Sequence, residues 1–213
     1  MSLALTKQQT SHDYYNIIAL LVIVSYDIYY LSIATDFNLI GTSKLAQEQH
    51  VQYHFNIFFA IFAAYITIDT LWILAQPKCV LSNPLTLIYH HIGAAAFLVI
   101  PYSIQQFQWH FALNLIVESN TLFLVLKRHT VSNSLVNKFL NFLFYATWVL
   151  FRLVFYPIVS VFMFYEYSRY TKEVGSWQNL MLLAPTLQVI LTSMGYMWTY
   201  ELVSKLLRPK KKV

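Results

Sequence analysis

From Cys79 to Val117, and again from Val174 to Tyr200, the chain contains no Asp, Glu, Lys or Arg. Each stretch exceeds the about 20 mostly apolar residues that a helix needs to cross a bilayer. Soluble domains carry about a quarter charged residues, whereas this 213-residue chain has 11% charged and 58% hydrophobic. The single cysteine, Cys79, excludes a disulfide framework and a cysteine-based zinc site. The formal charge of +5 does not indicate a nucleic-acid surface, because five of the fourteen basic residues lie between Lys205 and Lys212. The composition is that of a membrane protein.

Six segments meet the length criterion: Tyr14–Ala34, Phe55–Gln76, Leu85–Ile104, His110–Leu126, Phe139–Tyr165 and Trp177–Leu206. Their continuous apolar character selects helices over the dyad alternation of a barrel. The expected fold is therefore an all-α, polytopic bundle of six transmembrane helices. A cytosolic tail (1–13) precedes the membrane domain (14–207), and a basic cytosolic tail (208–213) follows it. Thr35–His54 is the one long connection, and an interfacial helical turn is expected at Lys44–Val51. Pro157 and Pro185 fall inside the fifth and sixth segments and should kink them. Ser32-Ile33-Ala34 resembles a signal cleavage site, but the long apolar run with Asp27 reads as a retained helix.

With the N-terminus in the cytosol, ten basic residues fall on the inner side: Lys7, Lys78, Lys127, Arg128, Lys138, Lys205, Arg208 and Lys210 to Lys212. Three (Lys44, Arg169 and Lys172) fall outside. The positive-inside rule then puts both termini in the cytosol. Lys210-Lys211-Lys212-Val213 resembles a dilysine retrieval signal of the endoplasmic reticulum, and equally suits an anchor to anionic lipid. The expected location is the endoplasmic reticulum membrane (the host's, if the gene is viral).

Ionisable groups within a span cost ~2.5–3.5 kcal/mol each at the helix centre and are functional candidates. At ~1.5 Å of rise per residue, Asp69, His90 and His91 lie ~10 Å, and Glu118 ~13 Å, from the cytosolic edge. They form one expected layer, with a histidine as base or transient nucleophile and Asp69 or Glu118 fixing its tautomer. The alternative reading of the same layer is interhelical hydrogen bonding that holds the bundle together. Asp27 and Arg152, ~20 Å deep, form a second layer, expected to be a structural ion pair, with Glu118 also within reach of the guanidinium. Gln188, Thr192 and Ser193 are candidates for a polar lining or for ordinary packing. Zinc binding is a weaker reading, since adjacent helical histidines do not converge on one ion.

The run Tyr65-Ile-Thr-Ile-Asp69, Trp72, Pro84, Tyr89-His90-His91-Ile-Gly93, Leu113 through Glu118-Ser119, and Phe151-Arg152 resembles the TLC domain. That family includes ceramide synthases and the translocating-chain-associating membrane protein, and the resemblance covers about residues 14–207. It implies acyl transfer from acyl-coenzyme A to a lipid amine or hydroxyl. His90 and His91 match the catalytic pair and Glu118 stands near the first downstream acid. Acyl-coenzyme A would be a co-substrate rather than a resident cofactor, its phosphates met by Lys127, Arg128 and Lys138. The synthase signature continues with a His-Asp pair and a second Asp, whereas here Ser119, Asn120 and Thr121 follow Glu118. The alternative function is a non-enzymatic protein that binds lipid or a partner helix and modulates membrane composition. Expected partners are membrane lipids, with a homo-oligomer or a partner helix as further options, and no nucleic acid. A proton-coupled transporter is disfavoured without an inverted repeat.

Overall fold

The computed structural model describes residues 6–35 and 48–207, which are helical and contain six crossings long and apolar enough to span a membrane. The first is α1 (Lys7–Thr35) and the second α2 (Gln49–Ala75). The third is α3 (Pro84–Phe97), continued by α4 (Val99–Ser103). The fourth comprises α5 (Gln108–Leu115) and α6 (Glu118–Arg128). The fifth joins α7 (Leu135–Thr147), a π-helical segment (Trp148–Phe155) and α8 (Tyr156–Val174); the sixth is α9 (Leu183–Leu207). Lys44 and the tail from Arg208 onward lie outside the described residues. So does most of the expected interfacial turn, whose residues from Gln49 belong to α2.

The helix termini follow local chemistry. α1 begins seven residues before the expected Tyr14 because Thr6 and Gln9 form a capping box. The Gln9 amide donates to Thr6 Oγ1 (3.2 Å), and the Thr6 amide donates to Gln9 Oε1 (2.9 Å). Asn83 caps α3 ahead of Pro84, and Ser134 caps α7. Gly175 ends α8 with φ +70°, a left-handed conformation that suits glycine. Pro185 corrects an expectation. It is the third residue of α9, where the first amides have no intrahelical acceptor, so it opens that helix rather than kinking it. Pro157 stands at the start of α8, directly after the π-helical segment.

The crossings close into a ring. α1 packs on α2, α2 on α3, and α3 on α9; α9 packs on α8 and the π-helical segment, α7 on α6, and α6 on α1. In its most apolar 18-residue stretch the fourth crossing has 61% of residues buried, against 22–39% in the other five, so it is the innermost. All eight residues of α5 are buried, so this short helix fills the ring at one end. Phe111 of α5 is surrounded by Phe55, Phe58 and Phe62, which form one stripe of α2. Tyr65 and Asp69 continue that stripe toward the other end, which aims a carboxylate into the ring. That end holds the start of α1, the 76–83 connection, the turn after α6 and the end of α9.

Candidate functional site: a polar cavity inside the ring

A cavity of about 290 Å³ occupies the ring beyond α5, and all six crossings contribute to its wall. His12 and Asp13 come from α1, Asp69 from α2, His90 and His91 from α3, Glu118 and Arg128 from the fourth crossing, Arg152 from the fifth and Lys205 from the sixth. Cys79 to Ser82 line it at the loop end. A smaller void of about 30 Å³ shares His90, Ala94 and Glu118 with it and runs on between Phe97, Phe111, Leu115 and Leu191. A chamber bearing ionisable side chains thus leads past His90 and Glu118 into an apolar slot.

Two histidines flank Asp69. His12 Nε2 lies 2.7 Å from Oδ1 and His91 Nε2 lies 3.5 Å from Oδ2, which ties α1, α2 and α3 together. The Asn16 amide donates to Asp69 Oδ1 (3.3 Å) and Tyr65 donates to Asn16 Oδ1 (3.0 Å). His91 Nδ1 lies 2.9 Å from Thr70 Oγ1, so both ring nitrogens of His91 have partners. Next to His12 on α1, Asp13 accepts from Arg128 (3.2 Å) and lies 3.1 Å from His129 Nε2, joining α1 to the end of the fourth crossing.

His90 differs from its neighbour. Its ring stands edge-on to Trp198 at 5.3 Å, its Nδ1 is buried without a partner, and its Nε2 makes no hydrogen bond with a described residue. Glu118 opens α6 just after a break at Ile116–Val117, so its carboxylate sits in the first turn, where the helix dipole favours negative charge. Arg152 lies within the π-helical segment, its Nε donating to Asn120 Oδ1 at 3.4 Å. Its guanidinium carbon is 4.9 Å from the Trp148 ring and 5.2 Å from the Trp198 ring.

The expected layer of Asp69, His90, His91 and Glu118 does meet in one cavity. The second layer does not exist as drawn. Arg152 joins the cavity, while Asp27 stays buried elsewhere, forms no ion pair with it and leaves Oδ1 unpartnered. The expected coenzyme residues separate as well. Arg128 lines the cavity, Lys127 lies over the Phe144 ring (3.6 Å) and Lys138 is exposed. Gln188 is buried with an unpaired amide, Thr192 pairs with Ser160 (3.0 Å) and Ser193 is exposed; none borders either void. Among the described residues no three His, Cys, Asp or Glu side chains converge as a metal-binding set. Sequence reasoning missed His12 and Asp13 by assigning them to a tail; the Thr6-x-x-Gln9 capping signal could have placed them in the helix. At the loop end, burial pushes the Cys79 thiol pKa up, with Asp69 and Asp13 adding to the shift.

Six membrane-crossing helices around a cavity that bears ionisable side chains define a polytopic integral membrane protein. The TLC domain family model matches residues 11–204, nearly the whole chain, and the protein belongs to that family. No curated protein and no solved structure matches it.

Proposed function

We propose that this protein acts in lipid metabolism by acyl transfer from acyl-coenzyme A to a lipid amine or hydroxyl, with His90 as the reacting histidine. The observation that carries this reading is that His90 borders both the chamber and the apolar slot and makes no hydrogen bond with a described residue, while His91 is held by Thr70 at 2.9 Å and lies 3.5 Å from Asp69. In the reaction the thioester carbon–sulfur bond breaks and a carbon–nitrogen or carbon–oxygen bond forms. His90 Nε2 takes the acceptor's proton and returns it to the departing thiolate. His91, held by Asp69 and Thr70, positions α3. The loop end, rich in basic residues, is the cytosolic face and both termini lie there, which gives the coenzyme access past Arg128. The endoplasmic reticulum is the proposed membrane.

One observation favours a second reading, lipid binding without chemistry. Asp69 is engaged by His12 and His91, and His90 Nδ1 has no acceptor to fix its tautomer. Acyl-coenzyme A turnover by the purified protein, with lipid products identified by mass spectrometry, decides between them. The transferase reading expects turnover that His90→Ala lowers by about 100-fold or more and His91→Asn lowers less. No turnover with lipid retained in the cavity establishes the binding reading. Undiminished turnover in His90→Ala overturns the assigned base.

A further inference from the structure

Arg152 is 7% exposed, yet among the described residues no carboxylate lies within ion-pair distance of it. Glu118 lies in the same cavity but beyond direct contact, so the buried guanidinium has no carboxylate hydrogen-bonded to it. The groups that touch it are neutral. Trp148 and Trp198 cover its faces, and Asn120 accepts from Nε. Asn120 is itself fixed by donating to the Phe144 carbonyl (2.8 Å) and the Thr147 hydroxyl (2.9 Å). The two terminal nitrogens make no hydrogen bond with a described residue, and the side chain borders the cavity. The open edge of the fork is its bidentate edge, the geometry that takes a carboxylate or phosphate.

We propose that Arg152 seats the ionised oxyanion of a membrane lipid, held by its carboxylate or phosphate with the apolar slot beyond His90 available to its chain. This rests on the reading of the cavity as a lipid chamber and names the class of lipid it selects. The two indoles beside the guanidinium lower the local polarity, which strengthens paired hydrogen bonds formed there. Glu118, in the same cavity, opposes any anion brought there. A neutral lipid of the same chain length leaves the guanidinium unpaired and is disfavoured.

The test is native mass spectrometry of the full chain in detergent, titrated separately with oleate, dioleoyl phosphatidate, dioleoylglycerol and inorganic phosphate. The expected result is that oleate or phosphatidate is retained about tenfold better than dioleoylglycerol, as a charge-assisted pair implies. Arg152→Gln should abolish that preference, Arg152→Lys should keep part of it, and Glu118→Gln should strengthen it. Equal retention of charged and neutral lipid, or an unchanged preference in Arg152→Gln, overturns the anion seat and leaves the lipid chamber standing. If Arg152→Gln does not fold, a Glu118→Gln protein with no gain in anion retention overturns it instead. Displacement of bound oleate by equimolar inorganic phosphate rejects a lipid source for the anion. Retention of none of the lipids overturns the chamber reading as well.

Discussion

Asp69 and the two histidines beside it set the cost of substitution in this bundle. Removing either imidazole leaves a buried carboxylate short of a partner, a loss of about 1–3 kcal/mol. His12→Ala should therefore lower the thermal midpoint more than His91→Ala, its contact with Asp69 being 2.7 Å against 3.5 Å, and the double variant should depart from their sum because both act on Asp69. His90→Ala removes a ring that has no hydrogen bond with a described residue and should lower the midpoint less; a drop as large as that of His91→Ala would contradict the roles assigned here. Cys79 gives a chemical readout at the chamber entrance. Its thiol pKa is raised, so less thiolate is present near neutral pH, and alkylation should run slower than for a free thiol and climb as pH rises. Asp13→Asn removes one of the negative charges that raise it, so alkylation of that variant should be faster at the same pH. Timed maleimide labelling read by mass spectrometry checks both.

Two elements carry the site by being irregular. The π-helical segment Trp148–Phe155 offsets the side chains around Arg152 from the α-helical phase and brings Arg152 and Trp148 to the cavity wall. Such segments recur at functional positions. Deleting Val149, which shortens the segment by one residue, should turn Arg152 by about 100° relative to α7. The measurable consequence is loss of anionic-lipid retention in a protein that still purifies as a helical species by circular dichroism. The capping box of α1 is the second such element. Thr6→Ala should cost about 1 kcal/mol. Hydrogen exchange should locate the change in the first turn after Lys7 and leave α2 unaffected.

Across the whole molecule, the ring order brings the polar ends of six crossings to one side and leaves α5 to close the other. The proposed topology places the 76–83 connection in the cytosol and the 175–179 connection on the opposite side. Glycosylation sites inserted into each should be modified only in the second; modification of the first reverses the orientation. The sequence made the six crossings legible because lipid requires each backbone segment to satisfy its own hydrogen bonds, and uncharged length records that requirement. It also gave the shared depth of Asp69, His90, His91 and Glu118, since helical rise converts residue number into height. Height says nothing of azimuth or of partner. For that reason the Asp27–Arg152 pair was drawn at one level and is absent, and Lys138 was grouped with Arg128 but faces outward.

What the residues determined alone is a six-helix membrane bundle with a polar layer near one face, because apolar length and the cost of buried charge are properties of the chain itself. Which crossing stands beside which was decided only by packing. That neighbourhood gave Asp69 its two histidines, left the Nε2 of His90 unengaged and set Arg152 between two indoles, since side chains far apart in sequence acquire their chemistry from the helices they meet.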